Sequence, residues 1–235
     1  MKQALISTIL MIAVSLLSSA QDTRHELNVG DFTRLYLIDN INVNYRCNAD
    51  SAGLAVLTCS QDILDNLMFR LNNKGRLSIQ IKNKFDLPGN LPTITIYSKA
   101  LDEAENAGDS TLRVSGLPPM KMFKVRNINN GKVIARGVRA SQLELQILSG
   151  KGKIIADGSC DDLTLRLIGT GEIQADQVEA TSVSCRIMGT GSMGCNVIGG
   201  ELKVSGSGTG KVYYKGNPSK VTVHKLGSIR AIPMQ

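Results

Sequence analysis

One short glycine phrase recurs at a nearly constant interval through the second half of this 235-residue chain. The phrase is Gly-x-Gly, and its final glycine advances by 19, 20 and 19 residues from one copy to the next. The copies are Gly150-Lys-Gly152, Gly169-Thr-Gly171, Gly189-Thr-Gly191 and Gly206-Ser-Gly208-Thr-Gly210. Fixed intervals of this kind are typical of stacked arrays, because a short unit can bury its apolar face only against its neighbours.

Inside each repeat, apolar and polar residues alternate. Two columns align when the repeats are superposed: Val133, Ile154, Ile173, Met193 and Val212, and then Ala135, Ala156, Ala175, Cys195 and Tyr214. Alternation with period 2 predicts strands with one face turned inward, and segments such as Leu163–Leu167 supply a second strand per repeat. We therefore predict an all-β, right-handed β-solenoid with coils of about 20 residues, in which equivalent strands of successive coils pair.

The preceding region, residues 21–116, also contains alternating segments but lacks the period. Ser60 and the acids after it predict one short helix near Gln61–Phe69. We expect this β-rich region to cover one end of the array as a cap. Residues 117–235 are expected to form the solenoid repeats, continuous with the cap.

Residues 1–20 have the pattern of a secretory signal peptide. Lys2 precedes an apolar run from Ala4 to Leu17, and Ser18-Ser19-Ala20 resembles a cleavage site. The run is too short to span a membrane comfortably, and no later stretch is long enough. The sequence thus predicts export to the periplasm, the outer-membrane surface or the extracellular space, with no transmembrane segment in the mature chain.

Five cysteines are an odd number for an exported chain. Cys185 and Cys195 fall in predicted inward columns, which indicates buried, inert thiols. Cys47 and Cys59 flank a predicted hairpin with its turn at residues 48–53, so a disulfide between them is one alternative. Sequence alone does not fix the pairing.

Charge is zoned along the chain, whose formal net charge is +7. Residues 110–143 carry seven Lys or Arg and residues 202–235 carry six, and neither zone contains an acid. Such zones can attract anionic glycans or lipid head groups. The alternative is that charged strand faces simply keep the array soluble and its edges unpaired.

Candidate catalytic residues are few. His25 and His224 are the only histidines, and the sequence places no metal-site or triad partners beside them. Ser205–Lys211 has the glycines of a phosphate-binding loop, but Ser205 replaces the leading Gly and Val212 follows the Lys. We therefore expect no enzyme and no catalytic residues.

Asp157 and Asp176 are weak candidates for a metal site. They occupy one position in successive repeats, with Arg136 one repeat earlier and Lys215 two repeats later. Stacking would bring the carboxylates to about 5 Å, where they repel unless a cation lies beside them. Ca²⁺ would satisfy the pair. Our expectation is no cofactor, with a solvated charge ladder that ends at Arg136 and Lys215.

Tyr213 is the best aromatic candidate for a ligand contact in a chain without Trp. Alternation turns its ring outward between Lys211 and Lys215. These three residues and Arg136 are the predicted binding residues, for a carbohydrate or another anionic partner. A tyrosine that merely packs over a corner is the structural alternative.

The order of elements resembles a known bacterial family. Strand motifs F-T-R-L-Y-L and I-N-V-N-Y, a helix, G-R-L-S-I-Q-I and L-P-T-I-T-I-Y precede the Gly-x-Gly repeats, and V-Y-Y-K-G-N-P follows late, at 212–218. This order, over about residues 28–232, is similar to the family of putative auto-transporter adhesins with a head GIN domain. The resemblance implies a β-helical, envelope-associated protein and brings no catalytic residues. Asn130-Gly131 and Leu226-Gly227 depart from Gly-x-Gly in the outer coils.

Taken together, the sequence predicts an exported cell-envelope β-solenoid that offers a non-catalytic surface for adhesion or for a ligand or partner. The partner is an envelope or extracellular one, with an anionic glycan as one candidate, and we expect no nucleic acid. Two alternatives stay open. One is a Ca²⁺-dependent β-helical polysaccharide lyase or hydrolase, and the other is a purely structural envelope scaffold.

Overall fold

The computed structural model describes residues 22–83 and 91–234. The predicted signal peptide, residues 1–20, lies outside the described residues. The elements are β1 (Thr23–Asn28), β2 (Arg34–Leu37), β3 (Val43–Cys47), β4 (Leu54–Cys59), α1 (Gln61–Asn66), β5 (Leu67–Leu71), β6 (Arg76–Ile81), β7 (Ile94–Ser98), β8 (Glu103–Asn106), β9 (Thr111–Ser115), β10 (Met120–Asn127), β11 (Lys132–Ile147), β12 (Lys153–Gly169), β13 (Glu172–Gly189), β14 (Ser192–Ile198), β15 (Glu201–Gly208), β16 (Lys211–Asn217), β17 (Lys220–Gly227) and β18 (Arg230–Pro233).

These strands form a β-solenoid of about seven turns, which confirms the predicted fold class. Each coil has three faces, which we number in chain order. In the coil of β13, face 1 is residues 172–175, face 2 is residues 178–180 and face 3 is residues 183–189. Equivalent strands of successive coils pair in parallel, and the corner glycines fall in one register, as in Gly169 opposite Gly189 and Gly189 opposite Gly208.

The predicted inward column forms the core of face 1. Val133, Ile154, Ile173, Met193 and Val212 lie opposite one another in register, and each is at most 1% exposed. Face 3 has the equivalent column Leu145, Leu165, Cys185 and Val204, all fully buried. Each repeat therefore buries its apolar residues against the coils on both sides, as the alternation predicts.

In the central coils, the two strands predicted for each repeat are one continuous strand. β11, β12 and β13 run across all three faces, with β-bulges where face 1 meets face 2. One bulge places Asp157 opposite Gln177 rather than opposite Asp176. Bulges absorb unequal numbers of residues at a corner, so repeats of different length can keep the same register elsewhere.

The N-terminal region contributes coils of its own as well as a cap. β2 lies between β6 and β8 on face 3, and β3 lies between β7 and β9 on face 1, all in parallel. β8 and β9 in turn pair with β10 and β11, which carries the stack into the Gly-x-Gly repeats. At the outer end, β4 and β5 pair antiparallel with β7 and β6 and cover those edges.

The helix is shorter than the prediction. It ends at Asn66, and Leu67 is already extended, with φ −80° and ψ 141°. Leu67–Leu71 instead forms β5, which pairs with β6 from Leu67 opposite Ile81 to Leu71 opposite Leu77. A helix of this length is marginal on its own, so the backbone hydrogen bonds offered by β6 decide the conformation of these residues.

The predicted hairpin between Cys47 and Cys59 is wrong, and the structure excludes the disulfide that the sequence left as one alternative. β7 lies between the two strands, since β3 pairs with it in parallel and β4 pairs with it antiparallel. Cys47 is opposite Ser98, and the register of Ala55 opposite Ile96 carries Cys59 about six residues, or roughly 20 Å, away along β7. Disulfide geometry does not reach that far. All five cysteines are free thiols.

The C-terminal end of the stack is open in the described part of the chain. β17 pairs with β15, and β18 pairs with β16, and no described strand covers their other edges. Val221 and Val223 continue the inward column of Leu202 and Val204 but are 40% and 38% exposed, whereas the preceding pair is fully buried. The last coil therefore presents core positions to solvent.

Candidate ligand-binding surface

The outward side of face 1 brings three of the predicted binding residues together. On β16, Lys211, Tyr213 and Lys215 alternate outward, and Lys211 lies opposite Arg230 of β18. Tyr213 lies opposite Gly194, whose lack of a side chain leaves room beside the ring, and it is half-buried. We call Lys211, Tyr213, Lys215 and Arg230 the Tyr213 face.

Arg136, the fourth predicted binding residue, lies away from this group. Its coil is four coils from that of Lys215, which corresponds to roughly 19 Å along the stack. Arg136 Nη1 forms an ion pair with Asp157 Oδ2 at 2.5 Å, and Gly137 N donates to Asp157 Oδ1 at 2.6 Å. The structure thus gives Arg136 a local partner and does not make it part of the Tyr213 face.

The two candidate metal ligands point to different partners. Asp176 Oδ2 accepts from Gln177 Nε2 at 2.9 Å and lies 3.9 Å from Lys215 Nζ, while Asp157 is held by Arg136. The bulge between the two coils also removes the direct register that would bring the carboxylates together. Among the described residues, no group of three or more His, Cys, Asp or Glu side chains is placed to hold a metal ion.

A groove on the outward side of face 3 was not predicted from the sequence. Its floor is Ser205, Gly206 and Ser207 of β15, between bulkier side chains of the coils on either side. The walls are Arg186 and Met188 on β13 and His224, Lys225 and Leu226 on β17. The volume is about 610 Å³, within the range of small-ligand sites.

The register explains how this groove forms. Arg186, Ser205 and His224 lie opposite one another, and so do Met188, Ser207 and Leu226. Two small outward residues between larger ones leave a trough that runs along the strands. The signal was present in the sequence, because these residues recur at intervals of 19, but a search for catalytic motifs does not detect it. Ser205–Lys211 runs from β15 into β16, so these residues join two strands and do not form a phosphate-binding loop.

The histidines take no part in a catalytic arrangement of the described residues. His25 is part of β1, where Nε2 lies 2.9 Å from Thr23 Oγ1 and 3.1 Å from Cys59 O. His224 is exposed at the groove. Neither ring has a carboxylate partner in the described part of the chain.

The densest ionic cluster lies on face 3 of the N-terminal coils. Arg126 Nη1 is 2.7 Å from Glu103 Oε1 and 3.5 Å from Glu105 Oε2, and it donates to Tyr36 Oη at 3.4 Å. Burial raises the pKa of Glu105, and the contacts from Tyr36 and Arg126 oppose that shift. The Arg126 guanidinium is thus held by two carboxylates and a phenol of the protein itself, which indicates a structural role.

Two of the thiols, those of Cys185 and Cys195, are buried as the inward columns predict. Cys185 and Cys195 are fully buried on faces 3 and 1, and the pKa of Cys185 is raised by its contact with Cys195 and by desolvation. Cys160 lies on face 2, where burial raises the pKa of its thiol to about 12. Thiols of this kind are unreactive because the thiolate is disfavoured.

Comparison with known proteins identifies the family to which the chain belongs. Residues 31–218 match the family described as putative auto-transporter adhesin, head GIN domain. The chain belongs to this family. No curated protein matches the sequence.

Solved structures of bacterial proteins share the fold of this family member. A putative adhesin from Bacteroides fragilis superposes with a TM-score of 0.81 at 20% identity, over 92% of this chain and 98% of that one. A putative lipid binding protein from Parabacteroides distasonis gives 0.74 at 20% identity, with the same coverage. A putative adhesin from Parabacteroides merdae gives 0.68 at 18% identity, again over 92% and 98%. At these identities the likeness establishes the fold alone.

One further finding concerns membranes. Within the described residues, none of the helical structure is long and apolar enough to cross a bilayer.

Proposed function

We propose that this protein is an exported, non-catalytic binding protein of the cell envelope that holds an anionic glycan or similar partner on the Tyr213 face. The family description supports an adhesive role and a location at the cell surface or outside the cell. The signal-like composition of residues 1–20 is consistent with export.

One observation carries the proposal. Lys211 and Arg230 lie opposite each other on neighbouring strands, and neither forms an ion pair with another described residue. Like charges about 5 Å apart repel and are destabilising when directly opposite. A bound anion would relieve this repulsion, and Tyr213 beside it offers an apolar ring with a polar tip.

The test is an array of glycans and lipids probed with residues 21–235, followed by titration with an anionic polysaccharide such as dextran sulfate. We expect binding that weakens as salt concentration rises, since exposed charges are screened. The double substitution Lys211→Ala and Tyr213→Ala should weaken binding about tenfold, a loss of about 1.4 kcal/mol.

Lys151→Ala is the matched control, because Lys151 is an exposed lysine at a corner outside the Tyr213 face. Equal losses in this control and in the double variant would show non-specific attraction. Cleavage of a glycan that stops on chelation would replace the proposal with the Ca²⁺-dependent enzyme. No binding to any glycan or lipid would favour the structural scaffold.

A further inference from the structure

The groove on face 3 differs from the Tyr213 face because it is concave and has two chemically distinct ends. Arg186, Ser205 and His224 form one end, and Met188, Ser207 and Leu226 form the other, two residues further along the strands. Two residues in a strand span about 7 Å. The polar end and the apolar end therefore lie within reach of a single small molecule.

The cation at the polar end, Arg186, has no partner among the described residues. Arg186 forms no side-chain hydrogen bond and no ion pair with another described residue, and no carboxylate lines the groove. The guanidinium of Arg186 can bind a carboxylate or phosphate through two parallel hydrogen bonds. The hydroxyl of Ser205 on the floor adds a donor.

The apolar end exposes side chains that face each other across the trough. Met188 is 40% exposed and Leu226 is 77% exposed, the largest exposed fraction among the large hydrophobic residues of the described chain. Covering apolar surface is favourable at roughly 25 cal/mol per Å². Methionine also adapts its side chain to ligands of irregular shape.

One floor position, Gly206, cannot carry a side chain. Gly206 has φ +142°, and a Cβ at this position would lie 1.8 Å from Ile187 O. A side chain is therefore excluded at this position, and backbone alone forms this part of the floor.

From this arrangement we infer that the groove binds a monomeric anionic amphiphile: a single hydrocarbon chain with one carboxylate or phosphate head. The head lies between Arg186 and His224, and the chain lies over Ser207 between Met188 and Leu226. A glycan fits less well, because the groove has no aromatic ring on which a sugar could stack. The inference concerns a different face from the proposed function and stands or falls separately.

The experiment uses residues 21–235 with ¹³C-methyl methionine, and the Met188 signal is assigned with Met188→Leu. Decanoate below its micelle concentration is the probe. Decyltrimethylammonium carries the same chain with the opposite charge, and acetate is the head alone. We expect decanoate to shift the Met188 methyl signal in a saturable way, and the other two to leave it in place at the same concentrations.

Two substitutions test the assignment of the ends. Arg186→Ala should weaken decanoate binding about tenfold, and Ser207→Leu should abolish it by filling the trough. Arg166→Ala is the matched control, because Arg166 lies opposite Arg186 one coil earlier and does not line the groove. That variant should bind as the unchanged protein does.

Several outcomes would overturn the inference. They are equal binding of decyltrimethylammonium, equal losses in Arg166→Ala and Arg186→Ala, and no saturable shift below the micelle concentration. Binding to vesicles of phosphatidylglycerol without any response to monomeric decanoate would also overturn it, since the surface would then recognise a bilayer.

Discussion

Ile173 shows how one side chain is held in this fold. It lies opposite Ile154 on one side and Met193 on the other, and it is fully buried. Its contacts thus join three coils, whereas its neighbour Gln174 points outward and is half-buried. The stability of the stack depends on such inward residues, because each repeat shares its core with the adjacent ones.

We expect Ile173→Ala to lower the free energy of unfolding by about 2–5 kcal/mol, the usual cost of a large-to-small change in a core. Gln174→Ala, the outward control, should change it by less than about 0.5 kcal/mol. Urea unfolding followed by circular dichroism measures both. Equal effects would mean that the column does not form the core.

The thiols give a second prediction at the residue scale. Cys47 is the only cysteine that is not buried in the described structure, and all five are free. Reaction with Ellman's reagent at pH 8 should therefore modify one thiol in the native protein and five in guanidinium chloride without reductant. Three thiols in the denatured protein would show that a disulfide does exist.

The pKa of Glu105 predicts a pH dependence. Because burial raises it above its ordinary 4.5, the folded protein binds this proton more tightly than the unfolded chain does. The contribution of Glu105 to the free energy of unfolding thus falls as pH rises from 4.5 through the raised pKa. Glu105→Gln should gain stability relative to the unchanged protein across that window, as measured by unfolding at a series of pH values. A relative loss would mean that attraction to Arg126 outweighs burial.

At the scale of the element, the corner glycines decide how closely coils stack. Gly189 has φ +136°, and a Cβ there would lie 2.2 Å from the carbonyl oxygen of Gly169 in the coil before. The backbone of one coil thus passes directly against the backbone of the next at this corner. Glycine recurs at the repeat interval because this close contact leaves no room for a side chain.

Gly189→Ala should therefore destabilise the protein strongly, through both backbone strain and the clash with Gly169. Gly137→Ala is the control, since Gly137 has φ +65° but nothing within 4 Å of the added carbon. That control should lose only the strain, about 1–2 kcal/mol. Thermal unfolding compares the two, and similar losses would show that the close approach does not matter.

The sequence predicted the regular coils well and the remainder less well, for a physical reason. The repeat interval and the alternation of apolar and polar residues both reflect contacts between neighbouring repeats. The residue pattern alone is therefore enough to align Val133, Ile154 and Ile173. It is not enough to place Cys47 and Cys59, because β7 comes between their strands from a distant part of the chain. The face 3 groove is visible only when outward residues of adjacent repeats are compared.

At the scale of the whole molecule, the two ends of the stack differ. At the N-terminal end, β4 and β5 pair antiparallel with β7 and β6, the strands of the outermost coil, and cover their edges. At the C-terminal end, β17 and β18 expose both strand edges and inward positions within the described chain. Uncovered edges of this kind are sites of unwanted pairing between molecules, and positive charge is a common protection.

Val223→Lys tests this description of the open end. Val223 is already 38% exposed, so we expect a loss of less than about 1 kcal/mol and less aggregation on storage, measured by light scattering. Val204→Lys makes the same change one coil inward, at a fully buried position, and should cost several kcal/mol. If the two variants lost the same stability, the last coil would be covered in solution.

The interleaved order of the N-terminal coils has a consequence for how the stack is assembled and taken apart. β2 and β3 are synthesised early, yet both neighbours of each strand come from later parts of the chain. The pairing of β2 and β3 is therefore complete only after β9 has been synthesised. Once closed, that end frays less readily, because its outermost strands β6 and β7 belong to an internal segment whose two ends are both held in the coils beneath. The opposite end can fray in single coils, so loosening of the array starts there.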